Sequence, residues 1–206
     1  MSIYEVKPRF QALLRPLTRA LAQGGVTANQ VTVAACVVSI AVGAMLASFP
    51  EKTAWFAAVP AWMLVRMALN AIDGMLAREF NQKTVLGAYL NEISDVLSDA
   101  ALYLPFGFLT GSSMTGVAIV TVLAALTELA GVVAVMTGAS RRYDGPMGKS
   151  DRAFVFGALG LGVATNVVPA AMLNWVWAIM SVLLFATVVN RVRQGIAETK
   201  SAGRVS

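Results

Sequence analysis

Apolar residues run along this chain in long blocks separated by short polar segments. A helix that crosses a bilayer needs roughly 20 mostly apolar residues at about 1.5 Å rise each. Six stretches meet that need, at 30–49, 54–78, 86–109, 114–137, 153–168 and 171–192. The fifth is the shortest and is loosened by Gly157, Gly160 and Gly162 ahead of a turn at Asn166 to Pro169. The pattern predicts an all-α integral membrane protein with six transmembrane helices.

The first 25 residues follow a different rhythm. Phe10, Leu13, Leu14, Leu17 and Leu21 fall within one arc of a helical wheel, with Arg15 and Arg19 on the opposite side. They lack the uninterrupted apolar core of a signal peptide. An amphipathic juxtamembrane helix over 1–25 follows, lying in the interface with its cations toward anionic lipid or packed on the bundle. Pro16 is expected to kink it. The six-helix membrane domain then occupies 26–194 and a cytoplasmic tail 195–206, with no internal repeat.

Composition narrows the chemistry. The chain has 206 residues, 57% hydrophobic and 13% charged, with a mean hydropathy of +0.69, which excludes an ordinary soluble enzyme and a disordered tail. It has no histidine and a single cysteine, Cys36. That removes histidine-based triads, zinc–histidine sites, CxxC motifs and internal disulfides. A net charge of +5 raises topology before nucleic acid, which is not expected as a partner. Under the six-helix placement 14 of the 16 Lys and Arg fall on one side, leaving Lys52 outside and Arg66 within a helix. The positive-inside rule makes that side, with both termini, cytoplasmic. Trp175 and Trp177 suit either an interfacial belt or the core.

Ionisable groups at membrane depth are costly unless paired or hydrated. Here they collect in the second and third spans. Arg66, Asn70, Asp73 and Ala77 share one helical face, with Gly74 beside Asp73 and Arg78 at the mouth. Gly87, Asn91, Asp95 and Asp99 form a second stripe at intervals of four. An antiparallel pair of such helices makes a polar pocket open to the cytoplasm. Three readings fit: a metal or ion site, a transport pathway, or polar glue between helices. Asp99 either joins the pocket as a ligand or pairs with Arg66. Glu128, in the fourth span, is either a pocket residue or a partner of Arg66.

The stretch Asn70-x2-Asp73-Gly74-x2-Ala77-Arg78-x8-Gly87-x3-Asn91-x3-Asp95 resembles the signature of the CDP-alcohol phosphotransferases (class-I CDP-alcohol phosphatidyltransferases). That pattern is Asp-x2-Asp-Gly-x2-Ala-Arg, about eight residues, then Gly-x3-Asp-x3-Asp. Six of eight fixed positions match in identity and all eight in spacing, over 26 residues. Thr27 to Thr32 is similar to the family's entry to its first helix.

The resemblance implies a phospholipid-synthesis enzyme that transfers a phosphatidyl group from CDP-diacylglycerol to a small alcohol or polyol phosphate and releases CMP. It implies that Asp73, Asn70 and Asn91 ligate metal, with Asp95 a further ligand and the general base. Asp73, Gly74, Ala77, Arg78 and Gly87, with Asn29 and Thr32, would contact the CDP-lipid. The alternatives are close helix packing for the glycines and a positive-inside anchor for Arg78. The family's first and third aspartates are asparagines here, Asn70 and Asn91. The amides still offer oxygen but not charge. A divalent cation, Mg2+ or Mn2+, is therefore expected to bind more weakly or as one ion rather than two, unless Asp99 supplies a missing carboxylate.

Arg141, Arg142, Lys149 and Arg152, between the fourth and fifth spans, form a basic cluster where relatives bind the acceptor. It suits a phosphorylated polyol, or equally an anionic-lipid or topological role. A homodimer in a bacterial inner membrane, with cytoplasmic termini and active site, completes the expectation. The rival readings are a catalytically weakened CDP-lipid-binding homologue and an ion-coupled transporter.

Overall fold

The structure, a computed structural model, describes the backbone of residues 3–202 and the side chains of 10–201. Lys7 and Arg9, by their side chains, and Arg204 lie outside the described residues. All regular structure within them is helical: α1 (Ile3–Gln23), α2 (Ala28–Ser48), α3 (Ala58–Glu79), α4 (Val85–Tyr103), α5 (Met114–Met136), α6 (Lys149–Ala164) and α7 (Leu173–Ala202). Short 3-10 turns lead into α3 and α7 and follow α4, where Pro105 removes a backbone donor. Val37, Ile40, Ile119, Val122, Val182 and Phe185 stand exposed on the outside of the bundle. An apolar exterior around satisfied helical backbone is what a bilayer requires. Four segments, Ala28–Ser48, Thr53–Glu79, Met114–Met136 and Ala170–Ser201, are long and apolar enough to cross it. α4 and α6 fall outside that group. α4 carries Glu92, Asp95 and Asp99, and α6 has only 16 residues.

Helix starts are set by local chemistry. Thr27 and Gln30 form a reciprocal capping box at α2, at 3.2 and 2.9 Å. The Thr84 hydroxyl accepts from the Gly87 N–H at 2.9 Å and opens α4. Asp151 accepts from the Gly148 N–H at 2.8 Å. That cap starts α6 at Lys149, four residues earlier than the apolar pattern indicates.

α2 is the hub, packing on both α3 and α4, while α5 packs on α7 and α4, and α6 on α3. Gly43 lets α2 and α4 meet backbone to backbone, since a Cβ there would overlap the Ala101 carbonyl. α3 and α4 do not pack closely on each other, which leaves a space between the two polar faces. The main core holds an aromatic stack of Tyr103, Phe156 and Trp177, with Phe56 and Phe106 edge-on. Trp175 and Trp177 therefore divide. Trp175 is 76% exposed, whereas Trp177 is 1% exposed and donates its indole N–H to Ser112.

α1 runs unbroken through Pro16. One side docks on α3: Thr18 is fully buried beside Met75, Leu14 and Leu21 pack against Ile72 and Leu76, and Arg15 donates to Glu79 at 2.9 and 3.1 Å. Leu13 and Leu17 stay exposed, at 76% and 52%. Of the two arrangements its periodicity allows, the helix shows the packing on the bundle. At the other end, α7 continues to Ala202, so the expected tail is helical that far. Glu198 fastens it by accepting from the Ser140 N–H and hydroxyl at 2.8 and 2.9 Å and from Arg142 at 2.6 Å.

Candidate active site

Two cavities open between the helices and share one wall residue, Asn91. The first, about 370 Å³, lies where the starts of α2 and α4 meet the end of α3. Asp73, Gly74, Ala77 and Arg78 line it from α3, Asn29 and Thr32 from α2, and Gly87 from α4. The seven positions expected to meet the CDP-lipid are thus brought together. Buried Asp73 is oriented by the Thr32 hydroxyl, which donates to Oδ2 at 2.8 Å.

The glycines there act differently. A Cβ on Gly87 would press on Asn29 Oδ1 from α2 at 2.7 Å and on Thr84 Oγ1 of its own helix cap at 2.9 Å, so its absence leaves room for both side chains between the two helix starts. A Cβ on Gly74 would meet only the movable Arg78 guanidinium, at 2.9 Å. Gly74 keeps the wall flat for whatever Arg78 folds over.

The second cavity, about 510 Å³, is walled by α3, α4, α5, α6, α7 and the 137–148 segment. Asn70 and Asp95 face it with Asn91. Arg66 bridges the space between α3 and α4. Its guanidinium donates to Asp99 Oδ1 at 2.6 Å, to Asp95 Oδ1 at 3.0 Å and to the Asp95 carbonyl at 3.2 Å. Lys149 pairs with the other Asp95 oxygen. Arg152, fully buried, reaches Asp99 Oδ2 at 3.3 Å and Glu128 Oε1 at 2.8 Å. Alternating charges therefore run from Lys149 through Asp95, Arg66, Asp99 and Arg152 to Glu128.

This chain decides between the earlier alternatives. Both oxygens of Asp99 are engaged by Arg66 and Arg152, the ion-pair arrangement of its two alternatives. Glu128 is a wall residue paired with Arg152 rather than Arg66. Of the four cations expected around the acceptor, Arg141 and Lys149 line the cavity. Arg152 lies behind it. Arg142 turns away to Asp144, at 2.7 Å, and Glu198; the Asp144 hydrogen bond holds its guanidinium above its usual range.

Two participants escaped the sequence reading. Arg191, read there only as a topological charge, lines the cavity with its guanidinium on the Thr127, Asp144 and Tyr143 carbonyls. Glu92 binds Arg141 through both carboxylate oxygens. The one available signal was Glu128 itself, an acid in an apolar helix that calls for a cation from elsewhere.

Fold and cavities together define a polytopic helical membrane protein with a polar cleft reaching between its helices. The family profile for CDP-alcohol phosphatidyltransferase matches residues 25–192, and the chain belongs to that family of membrane enzymes. It is similar to Inner membrane protein YnbA of Escherichia coli (strain K12), 48% identical over 193 residues, covering 94% of this chain and 96% of that protein. Its fold is similar to two crystal structures of Mycobacterium tuberculosis phosphatidylinositol phosphate synthase (PgsA1). The complex with manganese and citrate gives a TM-score of 0.72 at 22% identity, covering 87% of each chain. The structure with CDP-DAG bound gives 0.69 at 21% identity, covering 87% of this chain and 92% of that one.

Proposed function

We propose that the protein transfers a phosphatidyl group from CDP-diacylglycerol to a small alcohol and releases CMP, as a step of phospholipid synthesis. The observation that carries this reading is the pair of cavities meeting at Asn91, one lined by the signature residues and the other by Asp95. The PgsA1 fold neighbour with CDP-DAG bound supports the donor. In this reading the first cavity holds the nucleotide end. Gly74 and Ala77 admit it close to α3, and Arg78 offers a planar donor fork to the diphosphate. The acceptor enters by the second cavity. Its hydroxyl oxygen bonds to the lipid-linked phosphorus, the phosphoanhydride P–O bond breaks with its electron pair leaving on CMP, and Asp95 takes the proton. Lys149, the more exposed of the two cations on Asp95, moves aside to admit the hydroxyl.

The family and the manganese-bound neighbour imply a divalent cation. Among the described residues no three acidic, thiol or imidazole side chains converge as a metal cluster. Asp73 with the amide oxygens of Asn70 and Asn91 is a donor set suited to one Mg2+ or Mn2+ completed by ligand phosphate oxygens. It does not suit two, since Asp95 is already engaged by Arg66 and Lys149. Such an ion would offset diphosphate charge.

The cation distribution supports a bacterial inner membrane setting with both termini and both cavities cytoplasmic, and the family resemblance supports a homodimer. Domain limits at 25 and 194 belong to the same proposal. CMP release by purified protein from CDP-diacylglycerol with Mg2+ or Mn2+ tests the function. Release should require an acceptor and fall by about 10²- to 10⁴-fold in Asp95→Asn; undiminished release would remove Asp95 as the base. The double engagement of Asp95 favours one rival, a CDP-lipid-binding protein with little turnover. Protection by CDP-lipid without CMP release would select it.

A further inference from the structure

Charge is balanced on the wall of the second cavity. Arg141, Lys149 and Arg191 stand against Asp95, Glu128 and Asp151. Most donors of the two guanidinium groups are already taken up, with Arg141 Nε left buried and unpartnered, while Lys149 alone has donors to spare. Arg141 grips Glu92 with two nitrogens, lies 3.5 Å from Glu128 and covers the Tyr143 ring at 5.1 Å. Lys149 is on Asp95. Arg191 is 1% exposed and donates to carbonyls at 2.5, 3.2 and 3.4 Å.

A phosphate ester is recognised by guanidinium or ammonium donors free to converge on its oxygens. Here it would find one ammonium, Lys149, and for any second cation would have to displace Glu92 from Arg141 while facing Glu128, Asp95 and Asp151. One carboxylate contact would be exchanged for one phosphate contact, and a partly buried acid would be left unpaired. The same wall suits hydroxyls. Glu128 and Asp151 accept, and Asn70, Asn91 and Ser150 both donate and accept.

We infer that the acceptor is an uncharged polyol, carrying neighbouring hydroxyls and no phosphate, and that Glu92 sets this preference by holding Arg141. The inference rests on the transferase reading and names its substrate class. The attacking group is one of the polyol hydroxyls, with the bond changes and proton transfer already described. Glu92 acts through Arg141 and is a specificity-determining residue, not a catalytic one.

The test measures CMP release by the full chain in nanodiscs with CDP-diacylglycerol and Mg2+. The acceptors are glycerol and myo-inositol, their monophosphates, and serine. Uncharged polyols should be favoured over their monophosphates by about tenfold or more in kcat/KM. Glu92→Gln should move that ratio toward the monophosphates by about tenfold, and adding Arg141→Gln should cancel the shift. A wild-type preference for a monophosphate or for serine overturns the substrate class, and an unmoved ratio in Glu92→Gln overturns the role of Glu92. Acceptor binding is read separately by saturation-transfer NMR. No CMP with any acceptor defeats the transferase reading, and tighter binding of a monophosphate than of its polyol defeats this proposal whether or not turnover occurs.

Discussion

The two cavities meet at Asn91 yet are built by opposite means. The first is shaped by absence: Gly74, Ala77 and Gly87 remove bulk where three helix ends converge, and Asp73 and Arg78 bring charge from one helix. The second is held open by presence, in a run of alternating charges from α3, α4, α5 and α6 that keeps the two polar faces spanned rather than packed. Steric cradles tolerate little added volume, whereas ion-pair frames tolerate little loss of charge. Each region should therefore fail to a different kind of substitution.

The largest effect is expected in the frame. Arg152→Met leaves Asp99 with Arg66 alone and Glu128 with only longer contacts to Arg141 and Arg191, at 3.5 and 3.7 Å. Removing one member of a buried pair costs about 3–5 kcal/mol. Thermal unfolding in detergent should show that loss, and Arg152→Met combined with Glu128→Leu should recover part of it. An unchanged Tm in the single variant would mean that the frame is not what holds this cavity.

The cradle should break through size. Gly87→Val places atoms against Asn29 and Thr84, an overpacking of about 1–3 kcal/mol. CDP-lipid affinity should drop by about tenfold or more, read as lost thermal protection by CDP-diacylglycerol. Gly74→Ala displaces only the end of Arg78 and should cost less. Equal losses in the two would show that the wall responds to Arg78 rather than to helix approach.

This contrast explains what could be read from the chain beforehand. The first cavity lies largely within one local pattern, because positions 73, 74, 77 and 78 are presented by a single helix and 87 and 91 by the next. Spacing on a helix is geometry, so it survives as a motif. The second cavity joins Arg66 to Asp99, Glu92 to Arg141 and Thr127 to Arg191. Any of the cations could have served those acids, and only packing selects among them. Hence Arg142, beside Arg141 in sequence, points elsewhere, and Arg191 went unrecognised. Four of the six spans were legible from apolar length, but the early start of α6 depended on a cap at Asp151 rather than on hydrophobicity.

Asn91 links the two regions and gives a finer test. If one ion is held mainly by Asp73, restoring a carboxylate by Asn91→Asp should tighten Mn2+ by about tenfold, since charge count tunes oxygen-ligand sites. Mn2+ titration followed by electron paramagnetic resonance reads this without turnover. A change in stoichiometry from one to two would mean that Asp95 can release Lys149 and Arg66 to a second ion. An unchanged affinity would move the ion away from the shared wall.

The smallest effect is expected outside both cavities, where α1 is pinned to the end of α3. Arg15 and Glu79 form a two-bond pair at 2.9 and 3.1 Å, and the carboxylate holds the guanidinium above its usual range. Both side chains are more than a third exposed, so salt and water screen the pair and its loss should barely register. The apolar contacts of Leu14 and Leu21 and the buried Thr18 carry the docking instead. Arg15→Ala should leave Tm and CMP release unchanged within error, whereas Thr18→Lys, placing a charge where no space is left, should release α1 and expose its docked face to protease. If Arg15→Ala alone frees the helix, a surface charge is acting here with the weight that only buried charges have around Asp95.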